Sequence, residues 1–304
     1  MNDLLFTVFT ATYNRAYILP RLFESLCSQT QKSFEWLIID DGSTDETEKL
    51  VESWKCRNDI GFPINYHKKA NNGKPRAIND GVNFAKGRYF VMVDSDDYLI
   101  ENAIEKMALW VSEIDQRSDF IGVGAAKGYS TTSYIKGTAP KVNANEFIDC
   151  TNLERSKYDL DADMIEAYKT YLFAKFPMAE WPGEKFAPEQ IALNDAALAG
   201  YKIRWHKDII EICNYLPDGL TMGSFSLEKS NPMGYAMMYN HTLKYPIGPL
   251  RKYKNACQHI ALSIVGKNPE YILKSYDPLI TILSLPLGLI LSIRRAFQFR
   301  GSAK

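Results

Sequence analysis

Two short acidic clusters stand where apolar runs stop: "IIDDGS", carrying Asp40 and Asp41, and "YFVMVDSDD", carrying Asp94, Asp96 and Asp97. Like charges this close together repel, so a cation or a reaction has to account for them. Hard divalent ions such as Mg2+ or Mn2+ take one or two carboxylates and fill their other positions with water and substrate phosphate. Asp94 and Asp96 are two residues apart and share a face of a strictly extended strand, whereas a sharp turn would aim them differently. The same residues also suit turns and helix caps, because an Asp side chain bonds nearby backbone N–H groups. "NNGKPRAINDG" places Lys74 and Arg76 behind a glycine at the start of a helical pattern. A helix N-terminus with basic side chains is an anion site, though a capped helix with surface charges gives the same pattern.

Other chemistries are disfavoured. There is no Walker A motif, and "GVGAAKG" puts Lys127 where a dinucleotide fingerprint needs its third glycine. The five cysteines are scattered without a CxxC pair, which predicts a reduced, cytoplasmic setting rather than a disulfide framework or zinc site. The 36 basic and 36 acidic residues cancel, so no overall field draws nucleic acid. No basic leader with an apolar core precedes "LLFTVFTATYN", and export is not expected.

The elements that must position these residues are readable over the first 125 positions. "LLFTVFT", "FEWLIID", "INYH", "RYFVMVD" and "DFIGVGAA" read as strands alternating with helical stripes, the pattern of an α/β fold with a mostly parallel sheet. Leu19, Leu22, Phe23 and Leu26 form one stripe; Leu50, Val51 and Trp54 another; Ile100, Ile104, Met107, Val111 and Ile114 a third. Ser43 and Glu46 match a capping box, and "GKPRAINDGVNFAKG" reads as a helix closed by Gly87. "RYFVMVD", nearly all apolar, belongs near the sheet centre. In an open sheet of this kind ligands bind outside the carboxyl ends of the strands, which is where both acidic clusters fall. Further on, 161–175 and 187–200 read as helices, "RWHKDIIEICNYLPDGLT" as a strand ending in a turn, and everything after Ser226 as helical.

Taken together, "TATYNR", "SQT", "WLIIDDGSTDET" and "NGKPRAINDGVNFAKGRYFVMVDSDD" resemble the inverting family 2 glycosyltransferases, over about residues 4–115. A weaker resemblance runs on through "DADMIEAYKT", "GEKFAPEQ" and "NYLPDGLT". The resemblance implies a GT-A nucleotide-sugar-binding fold over 1–225, with a nucleotide-sugar half (1–125), an acceptor half (126–225) and a helical extension (226–304). It implies that Thr12 and Tyr13 line the nucleobase, that Asp40 accepts a uracil N–H, and that Lys74 lies near the nucleotide. Asp94 and Asp96 match the first and last acids of the DXD motif. Asp96 would bind a divalent metal (Mn2+ or Mg2+), Asp94 would sit by the ribose or the metal's waters, and Asp97 would support the turn. The catalytic base falls on Glu189 in "FAPEQ". Gln190 stands where many relatives have a second acid, which keeps Glu184 as an alternative.

The implied activity is transfer of one sugar from a nucleotide donor, a UDP-sugar, to a saccharide or lipid-linked acceptor in cell-surface polysaccharide biosynthesis. A processive synthase would carry QxxRW and several spans, and "QIALN" lacks the RW. A sugar-nucleotide-binding protein without turnover remains the reading from another class. The tail "PLITILSLPLGLILSI", Pro278 to Ile293, is uncharged and precedes Arg294, Arg295 and Arg300. Its sixteen residues, interrupted by Pro286 and Gly288, fall short of the ~20 of a spanning helix. Residues 278–304 therefore suit peripheral membrane contact on the inner face, while a buried helix or a homodimer arm fits the same run.

Overall fold

The structure, a computed structural model, describes residues 4–213 and 224–301. Along the chain these form β1 (Phe6–Thr12), α1 (Leu19–Cys27), β2 (Phe34–Asp40), α2 (Thr47–Lys55), β3 (Ile64–Lys68), α3 (Lys74–Phe84), β4 (Tyr89–Met92), β5 (Tyr98–Leu99) and α4 (Ala103–Ile114). There follow β6 (Phe120–Ser130), β7 (Ser133–Tyr134), β8 (Phe147–Cys150), β9 (Met164–Lys169), α5 (Thr170–Phe173), α6 (Gln190–Leu198) and β10 (Lys202–Ile212). The helices α7 (Ser224–Ser230), α8 (Pro232–Thr242), α9 (Pro249–Val265) and α10 (Pro278–Gly301) complete the described chain. The turn expected in "NYLPDGLT" lies outside the described residues.

Contacts divide the chain into two compact units. The first is Met1–Pro177 with Leu193–Leu216, the second Met178–Ala192 with Pro217–Lys304. The stretch 178–192, expected within the acceptor half, thus groups with the C-terminal helices.

The first unit holds one mixed sheet, ordered β3-β2-β1-β4-β9-β6-β10-β5, with β7 on β6 and β8 on β10. From β3 to β4 the strands are parallel, and β9 then runs antiparallel to both β4 and β6. β1 and β2 are buried along nearly their whole length, as strands covered on both faces must be. The predicted stripes face inward: Leu19, Leu22, Phe23 and Leu26 from α1, and Ile104, Met107, Val111 and Ile114 from α4, join Phe6, Val8, Trp36, Ile38, Tyr89 and Val91 in the core. Phe23 stacks on Trp54 of α2 at 4.3 Å.

Three local expectations are overturned. The capping box does not form: Ser43 Oγ accepts from the backbone of Asn14, the N-cap position of α2 is Glu46 without a side-chain cap bond, and Asp45 just ahead of it accepts from the Thr47 N–H at 3.0 Å. Gly87 does not close α3, which ends at Phe84. A Cβ at Gly87 would lie 2.2 Å from the backbone of Phe6 and Thr7, so glycine is required where the chain crosses β1. The expected helix over 161–175 is mostly strand β9, followed by the single turn α5. All six residues of β9 are buried, so no alternation marks it, and short runs of this kind do not separate helix from strand by period. The Lys169 ammonium at its end donates to the carbonyls of Ile114, Asp115 and Arg117, satisfying the C-terminus of α4.

The second unit packs α8, α9 and α10 around Met233, Ala236, Leu262 and Phe299. Its early segment is stitched to α8. Asn231 Oδ1 accepts from the Lys185 and Phe186 N–H groups at 2.8 and 3.0 Å, and Gly234 lets the Phe186 carbonyl approach where a Cβ would sit 2.1 Å away.

Candidate active site

Three parallel strands end side by side. In the β1–β2 register Thr12 pairs with Asp40, and Phe9 on β1 pairs with Met92 on β4, two residues before Asp94. The Asp41 N–H continues the ladder to the Thr12 carbonyl at 2.8 Å, and the Val93 N–H reaches the Phe9 carbonyl at 2.9 Å. Sheet pairing alone therefore delivers Thr12, Asp40 and the Asp94–Asp97 turn to one edge.

The connecting loops are locked to each other. Asn14, at φ 53°, accepts from the Thr44 N–H at 2.7 Å, and its own N–H donates to Ser43 Oγ at 2.8 Å. Asn is among the few side chains that tolerate this left-handed backbone, and here its amide holds the loop after β1 to the loop after β2. Tyr13 stands beside it with 47% of its surface exposed, a ring free to stack. Asp40 is fully buried. Its Oδ1 accepts from the Ser43 N–H at 2.7 Å and its Oδ2 from the Tyr66 hydroxyl, and each oxygen keeps a second lone pair. Thr12 Oγ1 is buried with no hydrogen-bond partner among the described residues, an uncommon state that a ligand group can relieve.

Asp41 turns the other way and holds the next loop. Its two oxygens accept from the Asn72 and Gly73 N–H groups at 2.9 and 2.7 Å, with Gly73 at φ 96°. That loop opens α3 and aims Lys74, whose Nζ lies 2.7 Å from Asp94 Oδ1. A chain of contacts thus runs from the end of β2 through the α3 N-terminus to the acids after β4. Arg76, also read as an anion ligand, donates to the Asn72 carbonyl at 2.7 Å.

The Asp94–Asp97 turn is tight, with the Asp97 N–H on the Asp94 carbonyl at 3.1 Å. It separates the three acids into different surroundings. Burial alone would raise the Asp94 carboxyl, but the Lys74, Lys127 and Arg15 cations outweigh it and hold Asp94 well below the usual carboxylate range. Asp96 is pushed the opposite way, by burial first and then by the Asp94 and Asp97 charges. Asp97 points into the protein, where Lys127 Nζ on β6 lies 3.0 Å away and also meets Glu211 Oε1 on β10 at 2.8 Å. β6 and β10 bring Lys127 and Glu211 into register. Glu211 is fully buried, and burial drives its carboxyl well above its ordinary value despite the adjacent ammonium. Lys127 keeps its proton, because Glu211, Asp97 and Asp94 more than offset its own burial. This buried group escaped the sequence reading, where Lys127 counted only as a break in a glycine pattern. The available signal was one lysine in the otherwise uncharged β6 and one glutamate inside the apolar stretch "IIEI" of β10.

These residues fit a divalent ion. Among the described residues no group of three or more His, Cys, Asp or Glu is arranged to hold a metal. The turn instead offers two carboxylates, leaving other positions to water and phosphate, as hard cations prefer. Asp96, strained by two like-charged neighbours, gains most from a cation.

Glu189 immediately precedes α6 and belongs, with Glu184, to the second unit, whereas Thr12, Tyr13, Asp40, Lys74, Asp94 and Asp96 all belong to the first. Glu184 caps α8: its two oxygens accept from the Met233 and Gly234 N–H groups at 2.9 and 2.8 Å.

The parallel βαβ array with acids at one edge is an α/β architecture open to ligands at that edge. The sequence matches the profile "Glycosyl transferase family 2" over residues 7–176, and the chain belongs to that family. It is 32% identical over 111 residues to glycosyltransferase GlyG of Streptococcus pneumoniae, covering 36% of this chain and 36% of that protein. It is 30% identical over 140 residues to the poly(ribitol-phosphate) beta-N-acetylglucosaminyltransferase TarS of Staphylococcus aureus, covering 45% of this chain and 24% of TarS. The matched stretches thus span little more than a third, or less, of these relatives. In structure the chain resembles S. aureus TarS 1–349 in complex with UDP-GlcNAc, with TM-score 0.62 and 17% identity over 98% of this chain and 91% of that one. It also resembles the mannosyltransferase PcManGT of Pyrobaculum calidifontis in complex with GDP-Man and Mn2+, with TM-score 0.56 and 14% identity over 96% and 86% of the two chains. The fold is GT-A.

Proposed function

We propose that the protein is an inverting, metal-dependent glycosyltransferase that moves one sugar from a UDP-sugar to a hydroxyl of a saccharide or lipid-linked saccharide, in cell-surface polysaccharide biosynthesis. The carrying observation is the shared edge of β1, β2 and β4, where Thr12, Asp40, Lys74, Asp94 and Asp96 converge. The TarS relative named above acts with an N-acetylglucosaminyl group and its structure holds UDP-GlcNAc, which supports a uridine donor. The exposed Tyr13 ring stacks on the base, Asp40 accepts its N–H, and the partnerless Thr12 hydroxyl takes a further polar group there.

Asp96, with Asp94, would hold a divalent ion, which when bound would supply Lewis-acid stabilisation of the charge released on the diphosphate. Lys74 lies at the same place and adds a second cation beside the leaving group. Glu189 removes the proton from the attacking acceptor hydroxyl. As that oxygen bonds to the anomeric carbon, the carbon–phosphate oxygen bond breaks on the opposite face, giving a β-glycoside from an α-linked donor. Such an acceptor places the enzyme in the cytoplasm at the membrane's inner face, in contact with it through residues 278–304.

Calorimetry with UDP and Mn2+, joined to a donor-hydrolysis screen across nucleotide sugars, tests this. Asp96→Asn is expected to weaken metal-dependent UDP binding by at least about a hundredfold. Glu189→Gln is expected to keep that binding while turnover falls by about 10²–10⁴. Absence of Mn2+-dependent UDP binding in the wild type would remove the reading.

A further inference from the structure

α10 has its polarity reversed for a helix in a water-soluble protein. It is one continuous helix of 24 residues, Pro286 included, rather than the interrupted sixteen-residue segment expected. Between Pro278 and Ile293 the face it buries is small and polar, with Thr281, Ser284, Gly288 and Ser292 covered, and its last turns bury one large apolar side chain, Phe299. Ser284 Oγ donates to the Ile280 carbonyl of its own helix at 2.8 Å and lies 3.3 Å from the Tyr253 carbonyl of α9, Gly288 packs so closely on Ile260 that a Cβ would lie 2.7 Å from it, and Arg295 reaches Gln258 at 2.7 Å and pairs with Glu228 of α7. The opposite half-turn, from Leu279 to Ile293, presents only leucine, isoleucine and Pro286 to the outside. Ile282, Leu283, Ile290 and Ile293 are each about 60% exposed, and Phe297 continues the stripe. A contiguous apolar face of this length on a soluble chain marks a contact surface.

Charge identifies the occupant. Residues 249–301 hold eight lysines and arginines against two acids, Glu270 and Asp277, a surplus of six in a chain whose total is zero. Arg294 and Arg300 are exposed next to the end of the apolar face, and Arg251 and Lys254 are exposed at the start of α9. Lys252 pairs with Asp277, which sets that start beside the start of α10. An apolar stripe flanked by cations is the complement of an anionic bilayer surface.

α10 is long and apolar enough to cross a membrane, with a mean hydropathy of 1.6 over its best window. One feature opposes crossing. Its covered face packs on α9, with Gly288 against Ile260 and Arg295 on Gln258, so crossing would draw Gln258 into hydrocarbon.

We infer that α10 lies in the plane of an anionic membrane, Leu/Ile face down, with α9 on its upper side and the arginines at the headgroups. This deepens the membrane contact in the reading above and rests on that part of it alone. The full chain is to be sedimented with vesicles of phosphatidylcholine containing 30% phosphatidylglycerol, with pure phosphatidylcholine vesicles, and with each at low and high salt. Binding to the anionic vesicles is expected, weakened at high salt as the Debye length shrinks. Ile282→Asp/Ile290→Asp, both outward-facing, is expected to weaken it at least tenfold, and Arg294→Glu/Arg300→Glu likewise. Asp96→Asn is expected to bind vesicles like the wild type, so a failed transfer reading and a failed membrane reading are told apart. Carbonate extraction at pH 11 is expected to release the chain. The inference is overturned by absence of vesicle binding, including the case where the face joins two copies and Ile282→Asp/Ile290→Asp yields monomers. Binding untouched by either double variant overturns it too, and resistance to carbonate overturns the in-plane placement.

Discussion

Replacing Lys127 with methionine removes one ammonium of nearly the same reach and leaves two buried carboxylates. Nζ stands 3.0 Å from Asp97 and 2.8 Å from Glu211, with side-chain exposures of 10%, 8% and 0% for Lys127, Asp97 and Glu211. At an effective dielectric of ~20 each contact is worth about 5–6 kcal/mol before desolvation is charged against it. Breaking a buried pair from one side costs about 3–5 kcal/mol net, and that is the expected loss at pH 7.5 by urea unfolding of the first unit. The sign of the pH dependence follows. Without the cation the buried Glu211 carboxyl, already raised by burial, keeps a folded-state pKa above its unfolded one, so the folded form binds more protons and the deficit shrinks as pH falls toward about 4. Adding Asp97→Asn and Glu211→Gln to Lys127→Met removes the stranded charges and is expected to recover at least about 2 kcal/mol at pH 7.5. A single variant losing less than about 1 kcal/mol, or a triple variant as unstable as the single, would refute the charge argument and leave only packing. Because Asp97 ends the metal-side turn, the single variant is also expected to bind UDP with Mn2+ less tightly.

Two more outcomes follow from buried groups. Glu184→Gln keeps only one acceptor for the Met233 and Gly234 N–H groups, so it is expected to cost about 1–2 kcal/mol in the second unit with turnover per folded molecule unchanged; turnover lost at intact stability would make Glu184 the base. His206, 4% exposed and stacked on Trp110 at 4.1 Å, is held down to about 4, chiefly by burial. Its folded form binds fewer protons than its unfolded form, so its contribution is present above about pH 6.5 and is lost as pH falls toward 4. His206→Phe is therefore expected to gain about 2 kcal/mol on the wild type between pH 7.5 and 5, and a gap that stays constant with pH rules this out.

The nucleotide side of the fold was legible because its strands are apolar on both faces and end in acids, so both the sheet and its binding edge are written locally. Asp40, Asp94 and Asp96 fell on one edge for that reason. Residues whose roles depend on distant partners were not legible. Lys127 and Glu211 lie in separate strands and mean little until β6 and β10 align. β9 carries Glu166 and Lys169 into the interior, against any simple polarity rule, and only the carbonyl end of α4 explains the lysine. The Ser43–Glu46 box was a correct local pattern overruled by Asn14 from another loop. α10 misled through its proline: the helix continues past the exposed Pro286, which removes one N–H from the ladder without ending it.

β9 also governs how the molecule is made. It sits between β4 and β6, although some eighty residues of chain separate its register partners Tyr89 and Lys169. On the ribosome, the strand ahead of the acidic turn keeps a bare hydrogen-bonding edge until Lys169 has emerged. A nascent chain, or a fragment cut near residue 125, carries that edge as an invitation to aggregate. The first 125 residues are therefore no self-sufficient module, and their acidic edge matures only when the later segment slots in.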